Sequence, residues 1–194
     1  AEAGKGGTTS APYSSGQLNT AVGYQALTGF TTGHSNTAFG VQSLRVVTTG
    51  LSNAALGIYS LYDLTTGYQN TALGQSAGEN ITDGNNNVLV GYRAGYTGTS
   101  PDGSIGIGYR ALYNNTADGS VAIGYDAGFA LTSGAENTAI GYEAMKTNTT
   151  GVRNTVIGYE AMNDTDAGST SSDSDDNTFI GAYAGSGTWA NTKS

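Results

Sequence analysis

The chain has 194 residues, the length of one domain, with Lys+Arg 7 against Asp+Glu 15 and a formal net charge of −8. So few cations on so acidic a chain exclude phosphate-neutralising partners, so neither nucleic acid nor an anionic membrane surface is expected. The absence of cysteine excludes disulfides and thiolate metal sites, and no apolar run approaches the roughly 20 residues of a membrane-spanning helix. Thirty-one glycines and two prolines, with much Asn, Thr, Ser and Tyr, suit many turns and short strands and fit a secreted surface. The small-residue start, Ala1-Glu2-Ala3, suits a processed chain.

Residues 1–18 are polar and Gly/Ser/Thr-rich and read as an arm or a first irregular coil. Residues 19–186 then repeat one pattern, and 187–194 form a tail. The pattern is Asn19-Thr20-Ala21-Val22-Gly23-Tyr24-Gln25-Ala26-Leu27, seen again at Asn137 to Met145 and Asn154 to Met162. Its central glycine recurs ten times, at Gly23, Gly40, Gly57, Gly74, Gly91, Gly108, Gly124, Gly141, Gly158 and Gly181. The steps are 17 residues, except for one of 16 (Gly108 to Gly124) and one of 23 (Gly158 to Gly181). A fixed short period is the signature of a solenoid. Each copy is too short for a strand-helix-strand unit but suits two short strands and two turns, stacking at about 4.8 Å per coil.

The residue before each glycine is bulky and apolar: Val22, Phe39, Leu56, Leu73, Val90, Ile107, Ile123, Ile140, Ile157 and Ile180. With the Thr, Ala, Val or Ile two residues earlier it shares one face of a strand, and apolarity places that face inside as the repeat core. The intervening residue, mostly Ala, is then expected outward, where close approach by another chain would explain its size. A uniformly small residue stands three after each glycine (Ala26, Ser43, Ser60 and so on), as a tight corner requires. A second glycine row, including Gly33, Gly50, Gly67 and Gly151, suits turns with positive φ. Asn opens eight of the ten motifs, with Ser104 and Ser120 in the other two. In register these residues would form an amide ladder.

Ser120-Val121-Ala122-Ile123-Gly124 resembles the SVAIG core of the YadA-like heads of trimeric autotransporter adhesins. The longer form at Asn19 to Leu27 resembles the repeats of tail-fibre-like bacterial and phage proteins. The resemblance covers about residues 16–186. It implies an all-β, left-handed parallel β-roll of about ten coils, usually a trimer, displayed outside the cell or on a virion fibre for attachment.

Chemistry is sparse. The single histidine, His34, lies in a Gly-rich turn and gives no catalytic triad. Two residues after the glycine, Arg93, Arg110, Asp126, Glu143 and Glu160 stack in successive coils, where Arg110 and Asp126 would pair and Glu143 and Glu160 would repel. The long step carries Asp164, Asp166, Asp173 and Asp175, a carboxylate set suited to Ca²⁺. Tyr92, Tyr109, Tyr125, Tyr142 and Tyr159 form a stripe able to meet a sugar or a protein. Sequons at Asn80, Asn114, Asn148 and Asn163 fall in expected loops. The reading is a non-enzymatic, extracellular rod without cofactors, partnered by copies of itself in a trimer or end-to-end filament and by glycans or a host-surface or matrix protein. Its rivals are a carbohydrate-active tail-spike-like enzyme using Glu143 or Glu160, and an ice-binding solenoid.

Overall fold

A computed structural model describes residues 3–4, 15–163 and 175–186. It is all-β. Ten three-residue strands, β1 (Thr20–Val22), β2 (Thr37–Phe39), β3 (Ala54–Leu56), β4 (Thr71–Leu73), β5 (Val88–Val90), β6 (Ile105–Ile107), β7 (Val121–Ile123), β8 (Thr138–Ile140), β9 (Thr155–Ile157) and β10 (Thr178–Ile180), form one sheet in sequence order. Every neighbouring pair is parallel and in register, as in Thr37↔Ala54, Ala38↔Ala55 and Phe39↔Leu56. The chain is a β-solenoid with eight complete described turns from β1 to β9. A ninth reaches β10 through residues 164–174, which lie outside the described residues. Each coil has one strand and not the two expected; the stretch after the motif glycine is a continuous turn.

The faces of the strands are the reverse of the sequence expectation. Phe39 is 54% and Leu56 52% exposed, whereas Ala38 and Ala72 are fully buried. The whole expected core row stands on the outside. Val22, Leu73, Ile107, Ile123 and Ile180 are exposed, and Val90, Ile140 and Ile157 are half-buried. The physical reason is the thinness of the coil. Its interior is filled from the opposite side by Leu27, Leu44, Leu61, Leu112, Met145 and Met162, four residues after each glycine, and by Val47, Leu64, Ile81 and Leu131, seven after. Beneath most of the strands there is room for little more than a methyl, so alanine there is a packing requirement and not the mark of another chain.

Volume is conserved where the rule is broken. Leu89 replaces the usual alanine in β5, and the facing positions shrink to Gly78 and Gly95; a Cβ on Gly95 would meet Leu89 Cδ2 at 2.7 Å. Phe179 in β10 likewise faces Gly185, whose added Cβ would meet the ring at 2.7 Å. Such swaps keep interior density near that of a close-packed solid.

The amide ladder forms as expected and is buried. Asn53 donates from its backbone N (3.0 Å) and Nδ2 (3.0 Å) to Asn36 Oδ1, and from Nδ2 to the Gly67 carbonyl (2.8 Å). Asn70 and Asn87 repeat the pattern. At the 16-residue coil Ser104 and Ser120 interrupt it. There Asn115, from inside its own coil, donates to Ser104 Oγ (3.3 Å) and to the Ala117 carbonyl (2.7 Å), filling the missing donor's place. A second row caps the turns: Oγ1 of Thr31, Thr48, Thr65 and Thr82 each donates to a threonine carbonyl one coil on.

Candidate interaction surfaces

The outer face of the sheet carries two rows. One is Val22, Phe39, Leu56, Leu73 and their equivalents. The other, two residues earlier in each strand, runs from Thr20 through Val88, Ile105 and Val121 to Thr178. Neither row contains a charge. The threonines thus face outward and not inward as expected, but Ala54, Val88, Ile105 and Val121 interrupt them, so no continuous hydroxyl lattice results.

The turn after the motif glycine builds a second surface. Tyr92, Tyr109, Tyr125, Tyr142 and Tyr159 stack with centroids 4.8–5.3 Å apart and rings within 17° of parallel. This continuous ladder has one physical consequence for binding. Ring faces are engaged by neighbouring rings, so the surface offers edges and hydroxyls, and a sugar cannot stack along it. Sequence reasoning missed a second column, five residues after the glycine, where Tyr96, Tyr113 and Phe129 stack at 5.1 and 5.0 Å. Its signal was present, since the same 17/16 spacing links those three aromatics.

Between the columns lie the charged residues. Arg110 sits over Tyr109 (5.0 Å) and Phe129 (4.7 Å) and grips Asp126 through Nε (2.9 Å) and Nη2 (2.5 Å). Asp126 is 1% exposed and the Arg110 side chain 31%, so the pair expected from their phase forms at the edge of the packed interior. The hydrogen bond to Asp126 raises the Arg110 pKa above its ordinary value. Glu143 and Glu160 do not confront one another as a bare pair. Lys146 bonds Glu143 at 2.9 Å, and Glu160 engages the Tyr159 hydroxyl. Burial pushes the Glu143 pKa up, but its bonds from Lys146, Tyr142 and Asn163 outweigh this and hold it below the usual carboxylate range.

Tyr159 is pushed up to about 12, first by its hydrogen bond to Glu160 and then by desolvation. A raised pKa stabilises the fold fully below the ordinary value of 10.0, and that contribution is lost as pH rises through about 12. Alkaline titration followed by tyrosinate absorbance should therefore show a late phase near pH 12, and Glu160→Gln should move it back toward 10. A late phase unchanged in Glu160→Gln would contradict the assigned cause.

Of the expected calcium set, Asp164, Asp166 and Asp173 lie outside the described residues. Asp175 Oδ1 accepts the Val152 amide (2.9 Å), and its neighbour Asp176 holds Arg153 through both oxygens (2.6 and 2.9 Å). Among the described residues no cluster of three or more His, Asp or Glu could hold a metal ion. The sequons divide. Asn148 is 1% exposed and accepts the Gly151 amide through Oδ1, so it is not the surface acceptor expected. It lies seven residues after Gly141, on the inward row. Asn80, Asn114 and Asn163 are half-buried, Asn80 donating its Nδ2 to the Tyr96 carbonyl (2.7 Å). His34 is exposed, with Nδ1 3.3 Å from Ser35 Oγ. No helix among the described residues is long and apolar enough to cross a membrane.

No family model, curated protein or solved structure matches this chain.

Proposed function

We propose that the chain is a non-enzymatic, extracellular structural rod that associates side by side with copies of itself, as a trimer, in an attachment fibre. The observation that carries this reading is the uncharged apolar row along the outer face of the sheet, with Phe39, Leu56, Ile107 and Ile123 all exposed. A contiguous apolar strip of that kind marks an interface. Its occupant must present ridges at the same coil spacing along the whole row, and a second copy of the rod does so by construction. The absence of charge in both rows also lets chains of net charge −8 approach without local repulsion. The likeness to YadA-like heads and tail-fibre repeats supports a left-handed roll, three chains and a place outside the cell or on a virion. Repeated weak contacts along such a rod would add by avidity.

The test is mass in solution. Wild-type protein should sediment as three 19.6 kDa chains, and the double variant Ile107→Lys, Ile123→Lys as one. Buried lysines at two central positions should weaken association by at least about 30-fold, as a hot-spot loss of about 2 kcal/mol or more implies. A wild-type monomer at all concentrations, or a variant that assembles normally, would defeat the reading.

A further inference from the structure

Arg93 is left without a counterpart. Its guanidinium lies over the rings of Tyr92 (5.2 Å) and Tyr96 (4.8 Å), both of its own coil, whereas Arg110, one coil on, lies over its own Tyr109 and over Phe129 of the following coil. Arg110 has Asp126. Arg93 has no carboxylate or hydrogen-bond partner for its side chain among the described residues, and its Nε is buried and unpaired. The coil before it carries the small, buried Ser76 at the same position, and the coil after it carries the like-charged Arg110. A buried donor without an acceptor is costly and calls for a physical account. A guanidinium packed against two aromatic rings is oriented in advance for a planar oxyanion.

We propose that Arg93 and the tyrosine edges around it bind the carboxylate or sulfate group of an acidic glycan. Charge and geometry together favour a sugar. The stacked Tyr92, Tyr109, Tyr96 and Tyr113 turn their rings toward one another and leave edges and hydroxyls on either side of the arginine. Two hydroxyl rows at coil spacing, acting as donors and acceptors, complement the hydroxyls of a saccharide. The oxyanion fixes the ligand at Arg93, the guanidinium between the columns that no carboxylate among the described residues neutralises. Farther along, Asp126, Glu143 and Glu160 occupy the same row and would repel further anionic units, so the site takes one charged group and not a long polyanion. This deepens the attachment reading, on which it rests for its biological sense, by naming the ligand class.

The test titrates the assembled wild-type protein and Arg93→Gln with a short oligouronate, a sulfated oligosaccharide, the neutral oligosaccharide of the same linkage and polyglutamate. Heat of binding and the Arg93 Nε–H resonance are followed together. Saturable binding of an acidic oligosaccharide is expected, with the Nε–H signal shifting. Loss of affinity in Arg93→Gln should be about tenfold or more, as for a charge-assisted contact. Arg45→Gln, whose arginine bonds the Tyr62 hydroxyl, should bind as wild type. Preference for uronate or for sulfate identifies which oxyanion is used. Equal binding by Arg93→Gln, by the neutral sugar or by polyglutamate would overturn the proposal, as would no binding of any acidic sugar. Sedimentation of Arg93→Gln at the wild-type mass keeps this result separate from the question of assembly.

Discussion

Replacing Gly124 by alanine is expected to cost more than about 4 kcal/mol, beyond the range of most single substitutions. A Cβ there would lie 2.2 Å from the Gly141 carbonyl oxygen and 2.7 Å from its carbon. Both atoms are backbone in the next coil, whose distance is fixed by the strand hydrogen bonds, so the clash cannot relax by rotating a side chain. The residue also holds φ +142°, a conformation that L side chains rarely adopt. The same contact repeats at Gly108 against Gly124 (2.3 Å), so the glycine row sets how closely coils stack. Gly103→Ala separates the two causes. It has φ +65° but nothing within 4 Å of its added Cβ, and should cost only about 1–2 kcal/mol of backbone strain. Urea unfolding of both variants measures the difference. Losses within about 1 kcal/mol of each other would show that coil contact is not the constraint.

Asn70→Ala should be the next most damaging change, on the order of 3–6 kcal/mol, from several buried polar groups losing partners at about 1–3 kcal/mol each. Asn70 Oδ1 accepts the Asn87 amide (3.0 Å) and Asn87 Nδ2 (2.9 Å), while its Nδ2 donates to the Gly84 carbonyl (2.7 Å) and Asn53 Oδ1 (3.1 Å). The residue is 1% exposed, so water cannot replace these bonds without opening the coil. Asn70→Ser should fall between alanine and wild type. Serine supports the ladder at position 104 with the help of Asn115, but the equivalent place in the Asn70 coil is the apolar Ile81. Calorimetric melting gives the order directly. An alanine variant as stable as wild type would mean the amide ladder contributes nothing net.

The repeat phase, the strand positions and the Asn ladder were legible because each rests on spacing alone. Asn19, Asn36 and Asn53 recur at the coil period, and parallel stacking brings equal phases together without further information. The facing of the strand was not legible from apolarity. Ile123 is more apolar than Ala122, yet the coil interior has room for the smaller residue once Leu112 and Leu131 enter from the far side. The pairing of Leu89 with Gly78 and Gly95 was the available clue, since a large residue under the strand occurs with small ones opposite. Arg110 beside Asp126 was readable from their phase. The burial of Asp126 was not, nor was the packing of Arg110 over Phe129 in the second aromatic column. Asn148 lies in a loop, as its sequon suggested, but is buried there, because its phase, seven after the glycine, is shared with Leu64 and Ile81.

Lateral burial of the outer sheet face is tested most directly by methyl NMR of the isoleucine- and leucine-labelled native protein with a soluble paramagnetic probe. In the assembled rod the Ile107 and Ile123 methyls should be as protected as interior Ile81, while Leu18, 82% exposed, is broadened. Broadening of Ile107 and Ile123 to the extent seen for Leu18 would contradict the assignment of that face to contact between chains.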